Sequence, residues 1–121
     1  QKDDCRAVET VIGDDWCMEH LAKRKIDLVK IDVDGFDFDV LKGLTKTLKK
    51  HSPIVIAEFC DRVLMARGIT VFDLIDLYIK IGYRSCKVIE TGIEMPLSEL
   101  KEKDLSKVSW NVILYPFKNK I

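Results

Sequence analysis

With 121 residues, the chain has room for one domain built around one modest core. Its hydrophobic content of 47% is that of a globular chain and excludes wholesale disorder. Lys and Arg total 20 and Asp and Glu total 20, which excludes the one-sided basic field that nucleic acid or an anionic membrane surface selects.

No run approaches the ~18 apolar residues of a membrane span, and no secretory signal opens the chain. Cys5, Cys17, Cys60 and Cys86 form no C-x-x-C pair. A reduced, cytoplasmic protein is therefore expected rather than a disulfide scaffold. Because position 1 is not Met, the chain is expected to be a processed product or a fragment of a longer one.

Taken in order, Ala7–Ile12 reads as a short strand. "DDWCMEHLAKRK" follows as a short helix, with Asp14 as its N-cap and Trp16, Met18, Leu21 and Ala22 as its apolar face. "IDLVKID" is a largely apolar run suited to a strand buried on both faces. From Phe38 to Lys50, Val40, Leu41, Leu44 and Leu48 recur at helical spacing, and Gly43 inside that helix predicts a close approach to the sheet. "IVIAEF" is a second buried strand after Pro53.

"TVFDLIDLYIKIGY" is the clearest helix. Thr70 and Asp73 stand at capping-box spacing, Leu74, Ile75, Tyr78 and Ile79 form its face, and Gly82 ends it. "YRSCKVIE" and "SWNVILYPF" read as two more strands, joined by the polar stretch "PLSELKEKDLSK" with one helical turn. Strands alternating with helices imply an α/β fold with a mostly parallel sheet, the final strands adding one antiparallel member. The whole chain, 1–121, reads as a single domain.

The chemistry concentrates in "IDLVKIDVDGFDFDVLKGL". In open α/β sheets, ligands sit beyond the carboxyl ends of the strands. Asp32 and Asp34 fall there after the first buried strand, and Glu58 falls there after the second. Gly35 lets the backbone turn sharply or approach a ligand. Asp37 and Asp39 fall in the first turn of the next helix, where they complement its dipole and Asp37 serves as N-cap. The competing structural reading of Asp32 and Asp34 is a turn stabilised by side-chain hydrogen bonds.

An EF-hand is excluded, since its loop needs Gly at the sixth position and Glu at the twelfth. Zinc has no ligand spacing here, and His20 and His51 read as surface helix residues. Trp16 and Trp110 read as core or rim packing.

The residues "VETVIGDDWC", "IDLVKIDVDGFDFDVLKGL" and "SPIVIAEF" together resemble the FkbM-type S-adenosylmethionine-dependent methyltransferases. The likeness covers roughly residues 8–59, with Lys30–Gly35 and Leu41–Gly43 as its most specific part, and Asp15 matches the family's aspartate before the Trp. Asp34, Asp37 and Asp39 stand where the family usually has Glu or a similar residue. The family's glycine-rich cofactor turn and its ribose-binding acid are absent from these 121 residues.

The resemblance implies a partial Rossmann-like class I methyltransferase sheet, the C-terminal, acceptor-side half of the domain. It further implies S-adenosylmethionine as cofactor and a sugar or similar small hydroxylated metabolite as acceptor. By resemblance, Asp32, Asp34 and Glu58 are the catalytic candidates and Asp32 also faces the cofactor. The two aspartates would orient the acceptor hydroxyl or take its proton, directly or through a divalent metal, and Glu58 would shape the rim. The chain alone is expected to be inactive and to bind the cofactor weakly.

Two alternatives stand beside this reading: a noncatalytic interaction module that kept the sheet, and a metal-dependent hydrolase using the same three acids. The strand Leu28–Asp32 becomes an outer strand if the first three strands of the class I order are missing. It is apolar on both faces and lightly defended by Lys30. A partner is therefore expected there: Ala7–Ile12, a second copy in a homodimer, or the missing half. The expected spatial order is Leu28–Asp32, Ile54–Phe59, Asn111–Pro116, Tyr83–Glu90.

Overall fold

A computed structural model describes residues 5–103 and 109–116. Five strands, β1 (Leu28–Ile31), β2 (Ile54–Cys60), β3 (Tyr83–Val88), β4 (Ile93–Pro96) and β5 (Ser109–Pro116), form one sheet in the order β1-β2-β5-β3-β4. The helices are α1 (Gly13–Leu21), α2 (Asp37–Gly43), α3 (Thr45–His51), α4 (Asp61–Met65), α5 (Val71–Ile81) and α6 (Leu97–Leu100). Among the described residues no helix is long and apolar enough to cross a membrane.

The expected order of the four longer segments is the order found. Among those four, β5 alone runs against the other three, as expected, and the correction lies in an unforeseen fifth strand, β4. β1 runs parallel to β2, with Leu28 opposite Ile54, but the other neighbouring pairs are antiparallel. β5 slots between β2 and β3 with Glu58 opposite Asn111 and Cys86 opposite Leu114. One inserted strand thus turns two contacts antiparallel. A third comes from β4, which folds back on β3 through a turn ending at Gly92, with φ +69°; so short a link permits only antiparallel pairing. The described sheet is mixed, rather than the mostly parallel Rossmann-like sheet expected.

The core lies where α5 packs under the sheet. Val71, Leu74, Ile75, Tyr78 and Ile81 are its buried face. The capping box at Thr70 and Asp73 is made in both directions, at 3.1 and 2.9 Å. Tyr78 meets Phe59 at 6.0 Å and the edge of Tyr83 at 5.7 Å between ring centroids. The Tyr83 hydroxyl donates to the Pro53 carbonyl at 2.7 Å, so the buried phenol has a partner.

Several local expectations are corrected. Ala7–Ile12 forms no strand and is exposed, so it does not cover β1. α1 buries no residue, and Trp16 and Met18 of its apolar face stay exposed while Leu21 is half-buried. Trp16 stacks on His20 rather than in the core.

The helix expected over Phe38–Lys50 is broken at Leu44 into α2 and α3. A Cβ on Gly43 would lie 3.6 Å from the Gly13 nitrogen and 3.7 Å from Ile12. The close approach is therefore to the start of α1, not to the sheet. Asp14 does not cap α1, whose N-cap is Ile12. Its carboxylate instead accepts from the Lys46 and Thr47 amides and the Thr47 hydroxyl at 3.1, 2.8 and 2.7 Å, capping α3 across the chain.

Candidate functional site

Two strand ends and one turn build the site. Beyond β1, Phe36 N donates to Val33 O at 3.2 Å and closes a four-residue turn. Its central residues are left-handed, Asp34 at φ +46° and Gly35 at φ +97°. Two consecutive positive φ values mark the mirror-image turn that Asp-Gly favours. A Cβ at Gly35 would come within 3.0 Å of both Val63 Cγ1 and Val63 O. The glycine thus serves two needs at once, its backbone angle and its contact with α4.

The turn and the end of β2 enclose a cavity of about 30 Å³, room for one water-sized group. Asp32, Asp34, Asp37 and Glu58 all line it, with Cys60 beside them, and no Lys or Arg joins them among the described residues. The three acids expected from the sequence are brought together, and a fourth is added. Asp32 and Asp34 are exposed, and Glu58 is half-buried. Glu58 accepts a hydrogen bond from the Ser109 hydroxyl.

Asp37 differs from the others. It is 6% exposed and its Oδ1 accepts from the Gly35 N–H at 3.1 Å. Burial raises its pKa above the ordinary Asp range, the Gly35 amide opposes that, and the negative charges of Asp32 and Glu58 add to it. The expected N-cap role is corrected, because Phe36 is the N-cap of α2 and Asp37 is its first residue. The spacing offered a signal: Asp37 stands four residues before Leu41, on the face that the helix buries. Asp39 points away and pairs with Arg67 at 3.6 Å. The Arg67 guanidinium also lies 3.7 Å from the centroid of the Phe36 ring.

Among the described residues, no group of three His, Cys, Asp or Glu is arranged to hold a metal ion. The divalent metal and the metal-dependent hydrolase therefore find no donor set at this rim. His51 sits at the end of α3 and accepts from the Ile26 N–H at 3.3 Å, which occupies its Nδ1. The cysteines among the described residues are free, and burial pushes Cys86 up to about 11.

On the other side of the turn lies an apolar groove of about 610 Å³. Val11, Ile12, Val33, Phe36, Val40 and Leu44 line it. Among the described residues β1 has a neighbour on one side only, and Leu28 at its start is 57% exposed.

A family model described as the methyltransferase FkbM domain matches residues 2–85. No curated protein and no solved structure matches the chain.

Proposed function

The chain belongs to the FkbM methyltransferase family, and from that premise we propose that its carboxylate rim is the acceptor side of an S-adenosylmethionine-dependent O-methyltransferase. The acceptor class is a sugar or another small hydroxylated metabolite. One observation carries the reading: Asp32, Asp34, Asp37 and Glu58 face a single cavity at the carboxyl ends of β1 and β2.

An attacking hydroxyl needs alignment and somewhere to leave its proton. A cavity of about 30 Å³ admits one hydroxyl-sized group. Asp34, on the turn, accepts the hydroxyl's hydrogen bond and would take its proton as the new O–C bond forms and the methyl's bond to the donor sulfur breaks, leaving a neutral thioether. Glu58, held by Ser109, orients the neighbouring part of the acceptor.

Bound S-adenosylmethionine supplies a methyl group on a positively charged sulfur. An all-carboxylate rim suits that charge, and Asp32 is the residue to face it. The nucleoside is too large for this cavity, and no glycine-rich turn follows β1 or β2. The open edge of β1 and the apolar groove beside it are where we place a cofactor-binding element.

The test is transfer of labelled methyl from S-adenosylmethionine to a panel of monosaccharides by the natural-length polypeptide carrying these residues. Asp34→Asn should lower the rate ~100-fold or more without loss of fold. Transfer to none of the acceptors, or rates unchanged in both Asp32→Asn and Asp34→Asn, would overturn the reading. In that case the exposed groove would favour an interaction module.

A further inference from the structure

We infer that Asp37 is a positioning residue of this rim: by accepting the Gly35 N–H it locks the left-handed turn from which Asp34 is aimed. The inference rests on the rim's being the acceptor site and adds to it a residue that acts through the turn it holds.

The first argument is what Asp37 does not do. It is the first residue of α2, whose N-cap has no side-chain hydrogen bond. A carboxylate there normally serves the helix's own free amides. This one, besides its own N–H, also turns backwards to an amide that precedes the helix.

The second is what the turn needs. Asp34 at φ +46° occupies a region that costs a residue with a Cβ ~1 kcal/mol. The Asp-Gly pair favours this conformation, and its surroundings fix it. Outside, the Arg67 guanidinium covers Phe36 and Val63 presses on Gly35. Inside, the Asp37 carboxylate is the side chain that holds the turn's backbone.

The third is electrostatic. Asp32, Asp34 and Glu58 surround Asp37, Cys60 and Tyr78 add no positive charge, and Arg67 is engaged outside with Asp39. An amide side chain would supply the same acceptor without repulsion. The bond to Gly35 thus needs an acceptor oxygen and not a negative charge, which makes Asn the informative replacement.

The experiment uses the whole chain and three variants. In wild type, a through-hydrogen-bond coupling between the Gly35 amide nitrogen and the Asp37 carboxyl carbon should be visible by NMR. This arm needs no variant to fold, and its absence overturns the inference. Asp37→Ala should speed Gly35 amide exchange ~10-fold, while Asp37→Asn, which keeps the acceptor, should hold it near wild type.

In the natural-length enzyme, Asp37→Ala should lower kcat ~10- to 100-fold with a smaller change in the acceptor KM. Asp37→Asn should restore most of that loss, and Asp39→Ala should behave as wild type. Unchanged exchange in Asp37→Ala, or no rescue by Asn, refutes the positioning role. If wild type transfers no methyl at all, the methyltransferase reading fails, and the coupling and exchange still decide whether Asp37 holds the turn.

Discussion

Replacing Asp14 with Ala should destabilise the chain by more than its half-buried position suggests. Asp14 accepts three hydrogen bonds from the first turn of α3, at 3.1, 2.8 and 2.7 Å. The N-cap of that helix, Leu44, makes no side-chain cap of its own. Losing a carboxylate cap costs ~1 kcal/mol, and losing its charge at the helix start adds ~0.5 kcal/mol. The Thr47 hydroxyl, on a residue only 7% exposed, loses its acceptor, which costs ~1–2 kcal/mol more.

The total is ~2–4 kcal/mol, a large share of the ~5–15 kcal/mol that holds a domain together. Asp15 is exposed on α1, so Asp15→Ala should change stability by no more than ~0.5 kcal/mol. Urea unfolding followed by circular dichroism measures both. A loss below ~0.5 kcal/mol for Asp14→Ala, or an equal loss for Asp15→Ala, would refute the capping argument.

Three further outcomes follow from the same geometry. Gly35→Ala should cost ~2 kcal/mol or more, since it strains φ +97° and drives a methyl to within 3.0 Å of Val63; a melting temperature equal to wild type would contradict this. Because the Asp37 pKa is raised, its contribution is most favourable below the ordinary carboxylate range and is lost as pH rises through the raised value. Asp37→Asn should therefore be more stable than wild type at neutral pH, with the gain vanishing below about pH 4 in thermal melts across a pH series. Finally, this chain alone should bind S-adenosylmethionine weakly or not at all by titration calorimetry, and the Leu28–Ile31 amides should exchange faster than those of the inner strand β2; micromolar binding or equal protection would sink the proposed element at β1.

What could be read from the sequence was whatever local patterning decides. The helix Val71–Ile81 carried its cap, its buried stripe and its terminal Gly82 in contiguous residues, and all three were found in place. The inner strands were legible because β2 and β5 are long apolar runs in which buried positions alternate with half-buried ones over most of their length. Features decided by tertiary contact were not legible. The periodicity of Phe38–Lys50 runs on through Leu44, yet the chain breaks there, where α3 takes its N-terminal capping from Asp14. β4 has four residues after a Thr-Gly turn, too few for alternation to stand out. Val11, Ile12, Trp16 and Met18 have the composition of a buried surface but are exposed.

The two misread acids expose the same physical limit. Asp14 and Asp37 were both assigned to the helix that begins beside them, because an acid at a helix start stabilises the nearest free amides. Both carboxylates reach amides outside that helix, at Thr47 and at Gly35. Local rules rank the amides by sequence distance, whereas a carboxylate ranks them by spatial distance and burial. At Asp37 the difference has a functional edge. A surface N-cap could be exchanged for Ser or Asn at little cost. At Asp37 the acceptor oxygen is tied to the turn before the helix, so removing it should disturb that turn while Asn preserves it. That turn presents Asp34 to the cavity, so the feature least legible in the sequence lies one hydrogen bond from the feature that was most legible.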